Sequence, residues 1–179
     1  RYGARDVFVF EHSGKYFMHY DAAGEVGWLC ALVTSDDGVN WTKQGAVLEL
    51  GKPGTPDSAS ASFGTVFQSA RTYPNWHMFY LGTPNVDGPG KVPAFPYQTL
   101  KARAETPDGP WFKQPEVVSV AAVPGTFYAD TASPGQVLEH GGEYLMFFSA
   151  AERDGSGTRR TLGLARTPDL NSTDSFETV

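Results

Sequence analysis

Cysteine is almost missing. Cys30 stands alone in 179 residues, which excludes an internal disulfide and a zinc cage built on thiolates. Charge is sparse as well: Asp, Glu, Lys and Arg make 19% of the chain, and acids outnumber bases 20 to 14. No cluster of Lys and Arg builds the basic face that nucleic acid requires, so nucleic acid is excluded as a partner. No apolar run approaches the roughly 20 residues of a membrane-spanning helix, so membrane insertion by that route is excluded too. Helical periodicity is absent; even Leu162-Gly-Leu-Ala165 is too short and too glycine-rich for a helix. There is no phosphate-cradling glycine motif opening a helix, no Gly-x-Ser-x-Gly elbow and no His-Glu-x-x-His. No signal peptide is visible. Residue 1 is Arg, and strand character begins at once with Asp6-Val-Phe-Val-Phe10. The chain therefore reads as a fragment of a longer one, for which an extracellular or periplasmic setting is favoured.

What is abundant points to short strands and turns. Hydrophobic residues make 40% of the chain and aromatics 13%, beside 20 Gly and 13 Pro, enough to bury a core and to turn often. An aromatic strand recurs three times, as Tyr16-Phe-Met-His-Tyr20, Trp76-His-Met-Phe-Tyr80 and Tyr144-Leu-Met-Phe-Phe148, at offsets of 60 and 68 residues. A short apolar strand precedes each copy, at Val7–Phe10, Thr65–Gln68 and Gln136–Glu139. A third strand follows each, at Leu29–Thr34, Thr99–Ala104 and Thr161–Arg166. Related turns then appear: Ser35-Asp-Asp-Gly-Val-Asn-Trp41, Thr106-Pro-Asp-Gly-Pro-Trp111 and Thr167-Pro-Asp-Leu170 with Phe176 beyond. Asp-Gly supplies the turn chemistry, and the aromatic opens a fourth strand, as in Trp41–Leu48 or Trp111–Val118. Four short antiparallel strands per repeat predict an all-β fold, a β-propeller of four-stranded blades. The blades fall at about residues 4–50, 58–120 and 126–179 of a single partial domain.

Blade geometry sorts the polar residues. The loop leading into each inner strand and the loop joining the second and third strands open on one face, so their side chains converge on one mouth. On that face stand Arg5, Asp6, Asp21 and Glu25 of the first repeat, Asp57, Ser58, Ser60 and Ser62 of the second, and Asp130, Ser133, Glu152, Arg159 and Arg160 of the third. Asp36, Asp37, Asp108 and Asp169 fall at the opposite end as turn formers. Trp28, Phe63, Phe127 and Tyr128 lie on or near the mouth, where an aromatic either stacks on a sugar ring or packs between blades. His19 and His77 read as satisfied core histidines and Cys30 as an inert buried thiol. The Pro/Gly-rich insertion Pro84–Pro96 is expected to form a long irregular loop over the mouth.

Arg5-Asp6-Val-Phe-Val-Phe, Gly14-Lys-Tyr-Phe-Met-His-Tyr20 and Ser35-Asp-Asp-Gly-Val-Asn-Trp41 together resemble the five-bladed β-propeller glycosidases. These are the glycoside hydrolase families numbered 43, 62, 32, 68 and 117, with the related mannoside phosphorylases. The resemblance covers all three repeats and implies about three blades of five. It further implies a mouth holding two Asp and one Glu, acting as general acid, general base or nucleophile, and transition-state stabiliser. Arg5-Asp6 looks like the Arg-Asp-Pro motif of the fructan-type members, with Val7 replacing Pro. The catalytic candidates are accordingly Asp6, Asp130 and Glu152, and the substrate-binding candidates Arg5, Trp28, Phe63, Tyr128 and Arg160. The second repeat offers no acid nearer its inner strand than Asp57, and Ser133-Pro134-Gly135 stands where a Glu-containing motif is expected.

Glycosidic cleavage needs two carboxyl groups, one to protonate the leaving oxygen and one to activate water or attack directly. The leading expectation is a hydrolase of a furanoside or of a plant- or algal-polysaccharide-derived sugar, with an oligosaccharide as its partner. Two alternatives stand beside it. One is a propeller that binds carbohydrate without cleaving it. The other is a sialidase-like propeller, which Arg5, Arg159 and Arg160 match poorly. No cofactor is expected; a central calcium occurs in some members of the resembling families, but no oxygen-ligand spacing here predicts one.

Overall fold

The computed structural model describes residues 3–88 and 92–179, and these form strands and turns with no helix among them. The first unit contains β1 (Gly3–His12), β2 (Lys15–Gly24), β3 (Gly27–Ser35) and β4 (Thr42–Ala46), each antiparallel to the next. The second begins with β5 (Ser60–Gln68) and β6 (Trp76–Thr83). A two-stranded ribbon follows, β7 (Val86–Asp87) with β8 (Val92–Pro93), and the unit is completed by β9 (Gln98–Ala104) and β10 (Phe112–Val120). The third is β11 (Thr131–His140), β12 (Glu143–Asp154), β13 (Gly157–Thr167) and the short β14 (Glu177–Thr178). One parallel pair, Leu29 with Ala61, joins the first unit to the second, and another, Tyr97 with Thr131, joins the second to the third.

The register repeats as strictly as the aromatics do. Val9 lies opposite Met18, Val66 opposite Met78 and Val137 opposite Met146. A few residues upstream of each valine the first strand breaks register: between Arg5 and Phe8, between Phe63 and Thr65, and between Pro134 and Val137. Such bulges bend a strand and re-aim its side chains. Here they lie beside the mouth in all three units.

Strand alternation then builds two cores. In β6, Trp76, Met78 and Tyr80 face the first unit, among Phe63, Val66, Leu100 and Trp111. Phe79 faces the third, among Tyr144, Met146 and Phe148. The middle sheet is thus covered on both faces, which is why nearly all of β6 is buried. Each fully buried large side chain there contributes about 1.5–3 kcal/mol.

The outer sheets are covered on one face only. Val7 and Val9 are 63% and 47% exposed, so the run Asp6–Phe10 is half-buried, not buried as its apolar character suggests. On the far side of the third unit Phe147 and Leu162 are likewise exposed. The fourth strands also differ from expectation. β4 is shorter than Trp41–Leu48, and β10 starts one residue after Trp111, which turns into the core. Within the insertion, β7 and β8 give regular structure where none was expected; residues 89–91 of it lie outside the described residues.

The bulges of the second and third units depend on glycine for space, at Gly64 and Gly135. A Cβ on Gly64 would sit 2.3 Å from the Pro134 ring and 2.5 Å from the Phe79 carbonyl oxygen, between the second and third units. Gly64→Ala is therefore expected to destabilise by about 1–3 kcal/mol. Gly24→Ala, which meets nothing within 4 Å, is expected to stay within about 0.5 kcal/mol of the parent. Equal denaturant midpoints for the two variants would remove this account of the junction.

Candidate functional site

The upstream ends of the first and third strands and the downstream ends of the second strands surround a cavity of about 670 Å³. That size is ordinary for small-molecule sites. Arg5 comes from β1, Trp28 from β3, Ser60 and Ser62 from β5, Thr131 and Ser133 from β11, and Arg160 and Thr161 from β13. This is the set of strand ends that the blade argument placed at one mouth. The remaining wall comes from the insertion, as Val92, Pro93 and Phe95, with Tyr97 just beyond it.

The insertion is held down by its own hydrogen bonds. Thr83 Oγ1 donates to the Ala94 carbonyl at 2.8 Å, and Asn85 Nδ2 to the Phe95 carbonyl at 3.0 Å. The Tyr97 hydroxyl donates to the Pro93 carbonyl. Burial raises the Tyr97 phenol above its ordinary pKa, with the Arg5 charge working the other way, so it stays a neutral donor near neutrality. Phe95 and Tyr97 were not among the sequence candidates. Their place depends on how a Pro/Gly-rich segment folds, and the available hint was one aromatic near its end and another just after it.

Of the five residues read as substrate-binding, Arg5, Trp28 and Arg160 line the cavity. The Arg5 guanidinium lies over the Trp28 ring, 4.2 Å from its centre, a cation–π contact that stiffens both. Phe63 and Tyr128 do not line it. Phe63 is 4% exposed and packs against Phe8 and His19, while Tyr128 is 9% exposed and packs against Phe127 and Phe148. Chain position puts both at the mouth; strand alternation turns Phe63 of β5 into one core, and the turn before β11 turns Tyr128 into the other.

Asp6, Asp130 and Glu152 do not line the cavity; each is the chain neighbour of a residue that does (Arg5, Thr131 and Ala151). Each carboxylate meets an arginine. Asp6 Oδ2 is 3.2 Å from Arg5 Nε. Asp130 accepts from Arg153 Nε at 3.1 Å, Nη2 at 2.9 Å and the Arg153 backbone N–H at 2.6 Å. Glu152 accepts from Arg159 Nη2 at 2.5 Å. The Asp130 partner also lies over Phe95, with its guanidinium carbon 4.5 Å from the ring centre, so the insertion is clamped to the third unit. Asp6 has a φ of 53° within the β1 bulge, a left-handed conformation that Asp and Asn tolerate better than other non-glycine residues. Among the described residues that line the cavity, none is Asp or Glu.

Two other carboxylates turn inward. Asp57 was placed at the mouth but is fully buried between sheets. It accepts from the Tyr80 hydroxyl and Thr55 Oγ1, each at 2.9 Å, and from Lys113 Nζ at 2.5 Å. Asp21 is 2% exposed. It accepts from the Phe63 backbone N–H of the second unit, and its Oδ2 is 3.5 Å from Arg5 Nε. It therefore ties the cavity arginine to both units. Burial pushes its pKa up to about 6, against the opposing pull of the Phe63 N–H and Arg5. Alternation gave the signal: Asp21 lies two residues beyond His19 and four beyond Phe17, on the buried face of β2.

At the opposite end of the sheets, Asp37 accepts from the Val39 and Asn40 backbone N–H groups at 2.8 and 2.7 Å. Those bonds hold its pKa well below the usual carboxylate range, as suits a turn former. Among the described residues no group of three His, Cys, Asp or Glu side chains is placed to hold a metal.

No family model and no curated protein matches the sequence. Solved structures do match the fold. The family 117 glycoside hydrolase Zg3597 of Zobellia galactanivorans superposes with a TM-score of 0.77 at 17% identity, covering 99% of this chain and 55% of that one. The α-L-arabinofuranosidase of Lactobacillus brevis gives 0.66 at 16% identity, covering 98% and 54%. The β-1,2-mannobiose phosphorylase of Listeria innocua, solved with β-1,2-mannobiose, gives 0.64 at 18%, covering 97% and 43%. The chain thus has the all-β fold of these propeller glycosidases and spans about half the length of the solved structures it matches.

Proposed function

We propose that the chain belongs to a glycoside hydrolase, that its cavity holds a saccharide, and that Asp6, Asp130 and Glu152, each next in the chain to a lining residue, supply the acid–base chemistry. The observation that carries this is the cavity itself. Hydroxyls from the second and third units, one tryptophan, one tyrosine and two arginines converge at the mouth of a fold shared with glycosidases. Ser and Thr hydroxyls match sugar hydroxyls, and the aromatic faces match the apolar faces of a sugar ring. In this scheme Asp6 is the base or nucleophile, freed from its exposed pairing with Arg5 when substrate enters. One of Asp130 and Glu152 protonates the leaving oxygen.

The pairing of all three candidate carboxylates with arginines favours a second reading, a propeller that binds saccharide without cleaving it. Titrating the protein with furanosides and disaccharides while assaying release of an aryl leaving group separates the two. Turnover supports the hydrolase; tight binding of an uncleaved disaccharide supports the binder. No binding of any saccharide would set aside both.

A further inference from the structure

We propose that the saccharide held in this cavity is an anionic one, whose carboxylate or sulfate is taken by Arg160, with Arg5 on its Trp28 platform beside it. The inference rests on the saccharide reading above and narrows it to a class of ligand.

The argument is one of charge. Acids outnumber bases 20 to 14 along the chain, yet the two charged side chains on the cavity wall are both arginines, and none of the described lining residues is acidic. The two arginines differ. Arg5 is compensated, being 3.2 Å from Asp6 and 3.5 Å from the buried Asp21. Arg160 makes no ion pair or side-chain hydrogen bond among the described residues, although its neighbours Arg159 and Arg153 are both paired. It projects from β13 opposite Ala151, a strand position with no acid across from it. Neutral sugar hydroxyls are already served by Ser60, Ser62, Ser133, Ser149 and Thr161, so recognition of a neutral sugar gives no use for an uncompensated guanidinium. A planar two-pronged donor matches a carboxylate or sulfate. Beside aromatic walls such a contact is screened less than on an open surface.

The test is a binding titration of the full chain with three probes of one backbone: galactobiose, galactobiose 6-sulfate and digalacturonic acid. At least one anionic probe is expected to bind about ten- to a hundredfold tighter than galactobiose, with the preference shrinking as salt rises. Whichever anionic probe is favoured identifies the source of the charge. Arg160→Gln is expected to erase the preference, with the anionic probes falling to the affinity that the same variant shows for galactobiose. Arg166→Gln alters net charge equally but lies far along β13, paired with Glu177, and is expected to keep the preference. Galactobiose binding as well as both anionic probes would overturn the inference and leave the saccharide reading standing. A preference that survives Arg160→Gln would overturn it as well. Failure of all three probes to bind would overturn the inference together with the reading beneath it.

Discussion

Asp6→Asn is expected to lower hydrolysis of a cleavable aryl glycoside by about 10²–10⁴-fold, the range for losing a positioned acid–base group, while the fold is undisturbed. The two halves of this expectation have separate grounds. Asp6 sits on the β1 bulge, next in the chain to the cavity-lining Arg5. Its side chain is 67% exposed and its ion pair with Arg5 is equally open to water, so breaking the pair costs at most about 1 kcal/mol. Its φ of 53° is a conformation that asparagine adopts at least as readily as aspartate, so the substitution adds no backbone strain. A large fall in turnover at an unchanged denaturation midpoint therefore isolates chemistry from stability. Full activity in Asp6→Asn would remove Asp6 from the reaction and leave Asp130 and Glu152 to be tested as Asn and Gln variants. The comparison also reports on binding. If Asp6 acts only on the bond being broken, saccharide affinity should be little altered, the pattern of an interaction made mainly in the transition state.

The parts of this molecule that were legible in its sequence are those encoded by short-range pattern. Three aromatic strands each centred on a methionine, with an Asp-Gly or Pro-Asp turn after the third strand, specify local hairpins that need no distant partner. The structure reproduces them down to the shared Val–Met pairs. The face on which the lining residues gather was legible for the same reason, because strand direction alternates. Legibility ended where register and sheet stacking decide. Glu152 meets Arg159 because β12 and β13 pair those two positions, and an offset by one residue would have separated them. Asp57 is buried because Tyr80 and Lys113 reach it from other strands, and nothing local marks that. Phe63 and Tyr128 were placed by distance along the chain, while the side of the strand on which each falls is set by the bulge or turn just before it. The histidines show the same boundary. His77 finds one partner, Thr72 Oγ1 at 2.7 Å. His19 finds none for either ring nitrogen among the described residues, so reading it as a satisfied core histidine was too generous.

That unsatisfied ring underlies the second large effect, a loss of stability in mild acid. His19 is fully buried, stacked between Phe10 and Phe63 with Trp111 edge-on. Burial takes its pKa from 6.5 down to about 4, against weaker opposing pulls from Asp108 and from the Pro107 backbone, which approaches the ring without forming a hydrogen bond of ordinary geometry. His77 goes to about 4 as well, through burial first and then the Lys101 and Arg103 charges. Between pH 6.5 and 4 the unfolded chain takes up two protons that the folded chain refuses, so stability present above pH 6.5 drains as pH falls. Each histidine accounts for about 3 kcal/mol of that loss by pH 4. Asp21 acts in the opposite sense. Its pKa is raised to about 6, so the folded chain takes up a proton there before the unfolded one does, and this offsets about 2 kcal/mol. The net expectation is a loss of about 3–4 kcal/mol between pH 7 and pH 4, a large share of the 5–15 kcal/mol typical of a domain. His19→Phe keeps the aromatic stack and removes the titrating group. It is expected to equal or exceed the parent by up to about 1 kcal/mol at pH 7, where two unpartnered nitrogens are deleted, and to exceed it by about 3 kcal/mol at pH 4. Urea melts of both proteins across that range decide the matter. Parallel stability profiles would mean that His19 titrates alike in the folded and unfolded chains, and the acid sensitivity would have to come from His77 and the carboxylates alone.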